Sequence, residues 1–127
     1  MPTKKPTSRS DPSGAYAPWD IVIVPFPYTD KLAEKRRPAL VVSNKTLHEQ
    51  HGLTWLVMIT SADNRGWEGD VEIKDLKRAG LPAPSVVRPA KIATVETMHI
   101  LRKVGRLVPS EQGAIQKLLI LYLPPVP

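Results

Sequence analysis

The turn Lys35-Arg36-Arg37-Pro38 is the part of this chain best equipped for chemistry on an anion. Between Tyr28 and Pro38, the residues Lys31, Lys35, Arg36 and Arg37 place four cations within seven positions, next to an aromatic ring. Arginine offers a planar fork that can grip a phosphate through two N–H groups and stays charged at any physiological pH, whereas lysine is a point charge. By charge alone the segment reads as a solvated hairpin tip. Its position says more. Pro38 forces Arg37 away from helical geometry, and Ala39-Leu40-Val41-Val42 reads as a buried strand. Arg37 therefore stands at a strand start, on the kind of rigid element that charge stabilisation requires.

Other residues could join it. Thr60 and Ser61 end the apolar run Trp55-Leu56-Val57-Met58-Ile59 and could donate to phosphate oxygens, although hydroxyls at strand ends also begin turns. Arg65 follows in the polar loop. Arg88, again before a proline, and Lys91 could form a second phosphate grip, or could pair with Asp70 or Glu72 on a solvated face. Tyr28 and Trp67 are candidates for stacking on unpaired bases; Trp67 could equally anchor its loop against the fold. His48 and His51 lie three apart, whereas a zinc-protease helix needs its histidines four apart around a glutamate. Without a third ligand in view they read as surface residues, and lone His99 as structural. No metal site is expected.

Composition narrows the classes. A chain of 127 residues holds one domain and one modest core. With no cysteine it has neither disulfides nor thiolate metal sites, and a reducing cytoplasm is its simplest location. Eighteen Lys and Arg against twelve Asp and Glu give a net charge of +6, which favours an anionic partner but also lies within what solubility needs. Neither a secretory signal nor a membrane span is expected, because Met1 to Ala17 has no apolar stretch and the run Leu118 to Leu123 is far too short to cross a bilayer.

These residues need elements to place them. Residues 1–17, with Lys4, Lys5 and Arg9 among Pro, Ser, Thr and Gly, read as a disordered basic tail. Residues 18–127 read as the single folded domain, still basic with 15 cationic against 11 anionic side chains. Six β-branched runs are predicted strands: Asp20 to Phe26, Ala39 to Ser43, Trp55 to Thr60, Asp70 to Ile73, Ser85 to Val95 and Lys103 to Val108. Lys45 to Gly52 reads as a turn of helix at best, and Leu76 to Gly80 as a short helix or turn ended by glycine. A C-terminal helix is predicted from Ser110 as N-cap, with Ile115, Leu118, Leu119 and Tyr122 on one stripe. Ile120, Leu121 and Leu123 make its last turns apolar all round, which points to cover from a second copy.

Three ordered segments also resemble one family: Trp19 to Asp30, Lys35 to Ser43, and Gly80 to Glu96, the last containing Ser85-Val86-Val87-Arg88-Pro89-Ala90-Lys91. Together with Ile59-Thr60-Ser61 and the terminal Val104-Gly105-Arg106-Leu107 plus helix, residues 19 to about 123 are similar to the MazF/PemK (Kid-like) toxins of type II toxin–antitoxin systems. The resemblance implies a mainly β fold, an SH3-like small barrel of the CcdB/Kid/MazF type with a C-terminal α-helix. It implies a homodimeric endoribonuclease that needs no metal or other cofactor, cleaves single-stranded RNA sequence-selectively and so arrests translation. It also implies a cognate antitoxin whose acidic extended segment blocks the RNA groove, with DNA bound only through the toxin–antitoxin complex.

Residue by residue, Arg37 matches the family's principal catalytic arginine, Thr60 the threonine that assists it, and Arg88 a further catalytic arginine of the Kid branch. Tyr28, Lys31, Lys35, Arg36, Ser61, Arg65, Trp67 and Lys91 are then the expected RNA-binding residues. The chain departs from the family at Ala90, where Kid-like members carry an acidic residue, at Leu32, where MazF-type members carry a loop glutamate, and at Trp19, where a glycine is usual. Two other readings stand beside the nuclease: a CcdB-like gyrase-binding toxin, which needs neither Arg37 nor Thr60, and an RNA-binding module whose site has decayed at position 90.

Overall fold

A computed structural model describes residues 14–26 and 35–126, with only the backbone of Phe26. The expected tail ended at residue 17, but Ala15 is buried and the Ala17 N–H donates to Asp20 Oδ2 at 2.9 Å, so residues 14 to 17 belong to the folded part. Residues 1–13 lie outside the described set, as do Tyr28, Lys31 and Leu32.

Six strands form one antiparallel sheet: β1 (Asp20–Phe26), β2 (Lys35–Val41), β3 (Leu53–Ser61), β4 (Val71–Glu72), β5 (Ser85–Glu96) and β6 (Arg102–Arg106), in the order β4-β5-β3-β2-β1-β6. The mainly β class holds. Strand alternation sends side chains to opposite faces, and here both faces are buried. One face collects Ile21, Leu40, Val57, Ile59 and Val87 beneath Ile115 and Leu107. The other collects Val22, Val24, Ala39, Val41, Leu56 and Met58, closed by Ala93 and Ile100. A two-sided core explains why these strands read as unbroken apolar runs rather than as an apolar–polar alternation.

The sheet curls where β5 bends. Val57 pairs with Ile92 while its neighbour Met58 pairs with Arg88, so Pro89, Ala90 and Lys91 fall out of register. Pro89 has no N–H for the ladder, and an irregularity of this kind sharpens local twist. The shift divides β5 into an arm beside β4 and an arm that closes the second core.

Helix α1 (Lys45–His51) is nearly two turns, longer than the single turn expected. Asn44 Oδ1 accepts the Thr46 N–H at 3.0 Å, and Gly52 in the left-handed region returns its N–H to the His48 carbonyl. Helix α2 (Leu76–Ala79) ends as predicted at Gly80, whose φ is 74°. Gly80 is required by contact as well as conformation and Gly105 by contact, since a Cβ on either would collide with the backbone of the other element. The C-terminal helix α3 (Pro109–Tyr122) starts two residues earlier than expected: Val108 is the N-cap and Pro109 occupies the first turn, so Ser110 lies inside the helix. Ile115 is fully buried and Leu119 packs on the first core, while Ile120, Leu121, Tyr122 and Leu123 are exposed. Among the described residues no helix is long and apolar enough to cross a membrane.

Trp19 occupies a left-handed backbone conformation, φ 77°, at the position where the family resemblance implies a glycine. That geometry is uncommon for a bulky residue. It is held by the Trp19 N–H on the Val41 carbonyl at 2.8 Å and by the Leu107 N–H on the Trp19 carbonyl at 2.9 Å, with the indole packed on the core.

Candidate active site

A groove opens where β2 and β3 part. Their pairing runs from Val41↔Leu56 to Ala39↔Met58 and stops. The next residue of β2 is Pro38, which has no N–H to extend a ladder. From there Lys35 to Pro38 continue alongside β1, with Arg37 opposite Val24, while Ile59 to Ser61 continue alongside β5. The wedge between them has a volume of about 360 Å³ and is walled on its far side by Leu81-Pro82-Ala83-Pro84-Ser85.

Arg37 lines this groove and is half-buried, not at a strand start as expected but three residues into β2. Its Nε is fully buried and makes no hydrogen bond among the described residues. A buried donor without a partner costs free energy, and the permanent positive charge of the guanidinium suits this lining to an anion. Lys35 and Arg36, both exposed, extend the positive charge along the same wall.

Thr60 and Ser61, from β3, line the same groove as Arg37. Ser61 is the turn-starting hydroxyl that the sequence left open: its Oγ accepts the Asp63 N–H at 3.1 Å and caps the short 3-10 turn Ala62–Asn64. That turn is pinned to the opposite wall by the Ala62 N–H on the Pro84 carbonyl at 3.0 Å. Asn64, which the sequence reading missed, also lines the groove, and its Nδ2 donates to Thr60 Oγ1 at 3.2 Å. The only sequence signal for it was a polar residue four positions after Thr60, a spacing that a single helical turn brings together.

Arg88 is not part of the groove lining. Its side chain is 10% exposed and forks Asp70, 8% exposed, through Nε and Nη2, each at 2.9 Å, while Nη2 also donates to the Asn64 carbonyl at 2.9 Å. Of the two alternatives left open for Arg88, pairing with Asp70 is the one seen, but the pair is buried rather than on a solvated face. Arg88's hydrogen bonds hold the Asp70 carboxyl below the ordinary carboxylate range despite burial, and Asp70 in turn raises the Arg88 guanidinium. Trp67 lies over that guanidinium, 4.3 Å from ring centroid to Arg88 Cζ, so one of its faces anchors the loop. Its other side remains exposed.

The structure thus brings Lys35, Arg36, Arg37, Thr60 and Ser61 into one groove and leaves Arg65, Trp67, Arg88 and Lys91 outside its lining. Ala90 lines a different, apolar cleft with Trp55, Ile92 and Tyr122. Among the described residues no carboxylate or imidazole lines the groove, and no three His, Asp or Glu side chains gather as a metal site. The apolar wall Leu81 to Pro84 was also missed as a site element; its sequence reads only as a proline-rich connection.

Comparison with known proteins adds the context. The chain superposes on the Mycobacterium tuberculosis toxin MazF-mt6 with a TM-score of 0.64 at 23% identity, covering 79% of this chain and 91% of that one. A mycobacterial endoribonuclease solved in complex with its cognate antitoxin gives a TM-score of 0.67 at 19% identity, covering 88% and 100%. MazF from Deinococcus radiodurans gives 0.66 at 20% identity, covering 85% and 97%. The fold is therefore that of the MazF structures. None of the curated protein sequences compared with the chain matches it. A family model described as a PemK-like, MazF-like toxin of type II toxin–antitoxin systems matches residues 17–123. By that match, which spans both walls of the groove, the chain belongs to the PemK-like, MazF-like toxin family.

Proposed function

We propose that this toxin is an endoribonuclease that cleaves single-stranded RNA in the groove between β2 and β3, with Arg37 and Thr60 as its catalytic residues. The observation that carries the reading is the buried Nε of Arg37, which makes no hydrogen bond among the described residues, in a groove that Thr60 also lines and no described carboxylate does. Such a site suits a reaction that builds negative charge on phosphate. Attack of a ribose 2′-OH on its adjacent phosphorus expels the 5′ oxygen, leaving a 2′,3′-cyclic phosphate and a 5′-OH. The charge that develops on the phosphorane oxygens falls to the Arg37 fork and the Thr60 hydroxyl. Arg37 also delivers the proton to the leaving 5′ oxygen, since the described groove offers no carboxyl or imidazole for that step; the 2′-OH proton passes to solvent water as the attack proceeds, and solvent reprotonates Arg37. Lys35 and Arg36 hold flanking phosphates, and the apolar wall at Pro82 and Pro84 receives an unstacked base.

Two partners follow from the same reading. A cognate antitoxin presents an acidic extended segment to the basic wall of the groove. A second copy of the chain covers the exposed Ile120, Leu121 and Leu123 at the end of α3. With messenger RNA as substrate, the reaction belongs in the cytoplasm.

Synthetic single-stranded RNAs of varied sequence, incubated with the full chain in EDTA, test the assignment. The expected products carry 2′,3′-cyclic phosphate and 5′-OH ends. RNA left unchanged across the whole set would refute it.

A further inference from the structure

What Thr60 can give a substrate depends on the hydrogen bonds it already makes, since a hydroxyl has one hydrogen to donate and two lone pairs to receive with. Asn64 Nδ2 donates to Thr60 Oγ1 at 3.2 Å. That bond uses a lone pair and leaves the Thr60 hydrogen free for the groove, which both side chains line. Asn64 is itself fixed from behind. Its carbonyl accepts Arg88 Nη2 at 2.9 Å, and its turn is closed by the Arg65 N–H on the Ala62 carbonyl at 3.2 Å. The loop returns around Asp70, whose Oδ2 accepts the Gly66 and Trp67 N–H groups at 3.3 Å and shares Arg88. A buried ion pair behind the groove thereby reaches Thr60 through one residue.

We propose that Asn64 is a positioning residue for cleavage: its amide turns the Thr60 hydroxyl hydrogen toward the scissile phosphate, and the Arg88–Asp70 pair holds Asn64 in the place where it can do so. The proposal rests on the nuclease reading above. A hydroxyl aimed in advance at the phosphorane oxygens gains strength as charge develops there, so the effect belongs to kcat rather than to KM. Without the amide, the hydroxyl is free to turn toward water or a backbone carbonyl. The loss should be that of one hydrogen bond, about three- to tenfold in rate.

A double-mutant cycle on Asn64 and Thr60 tests this, read as kcat and KM on a single-stranded RNA. Asn64→Ala should lower kcat about three- to tenfold while changing KM by less than about twofold, and should have no further effect in a Thr60→Ala background. Asn64→Asp is nearly isosteric, yet as a carboxylate it can only accept from Thr60 and would draw the hydrogen out of the groove. It should therefore fall below Asn64→Ala in kcat, and this gap should narrow when Thr60 is Ala. Additive losses around the cycle, or Asn64→Asp cleaving like the wild type, overturn the proposal. Arg37→Ala in the same assay separates the two readings. If it cleaves at the wild-type rate, the nuclease site is misplaced; if it is impaired while the cycle is additive, only the role of Asn64 fails.

Discussion

Arg37 and Arg88 share a local sequence, an arginine followed by a proline on a β-strand, and end in opposite circumstances. Arg88 is enclosed: a carboxylate grips it, a carbonyl accepts from it and an indole covers it. Arg37 is half-buried in the lining of a groove, and its Nε makes no hydrogen bond among the described residues. The proline sets backbone geometry in both cases, and what separates them among the described residues is Asp70, which pairs with Arg88 and has no counterpart at Arg37. An arginine satisfied within the fold contributes to stability, and one left unsatisfied at a cleft is poised for an anion.

Substitutions at these two places should therefore register in different measurements. The largest stability effect belongs to Arg88→Ala, which leaves the buried Asp70 carboxylate without its partner and should cost about 3–5 kcal/mol in urea unfolding. That is a large share of a small domain's stability. Asp70 also gives the comparison a pH axis. Its carboxyl is held below the ordinary value of 3.8, so the stabilisation is fully present above that pH and is lost as pH falls through the lowered value. Thermal melts should show wild type and Asp70→Asn far apart at neutral pH, with the gap closing below about pH 4; a constant gap would place the ion pair outside the folded-state balance. Trp67→Ala removes a half-exposed cover from Arg88 and should cost about 1 kcal/mol with KM for RNA nearly unchanged. A large rise in KM would instead assign the exposed face of Trp67 to base stacking.

Proton transfer sharpens the Arg37 side of the comparison. With neither carboxyl nor imidazole in the described groove, kcat should show no limb near pH 6 to 7, about where an unperturbed histidine titrates. A bell-shaped profile abolished by substituting His48 or His51 would contradict proton delivery by Arg37.

Much of this was legible in the sequence, and the exceptions have physical causes. The six strands could be found because β-branched runs with turn residues between them have few other fates. The Thr60 segment could be found because hydroxyls after an apolar run sit at a strand end, and the Arg37 segment because an Arg-Pro precedes an apolar run, although β2 begins two residues before Arg37. The burial of Arg88 was not legible: Asp70 lies eighteen residues away, and only the pairing of β4 with β5 at Val71↔Val87 brings it alongside. Asn64 was missed for a related reason, since its role depends on a single turn of 3-10 helix that no periodicity announces. The early start of α3 at Pro109 shows a proline in the first helical turn taking precedence over a serine that would otherwise cap.

The most direct measurement is Arg37→Ala, followed by single-turnover cleavage of a susceptible single-stranded RNA together with a thermal melt. Loss of the main charge-stabilising donor should lower the rate by about 10²–10³-fold while the melting temperature stays at or above that of the wild type, because the Arg37 Nε has no hydrogen-bond partner to lose among the described residues. A variant that cleaves at the wild-type rate, or one that loses activity only because it unfolds, would contradict the assignment of this groove as the active site.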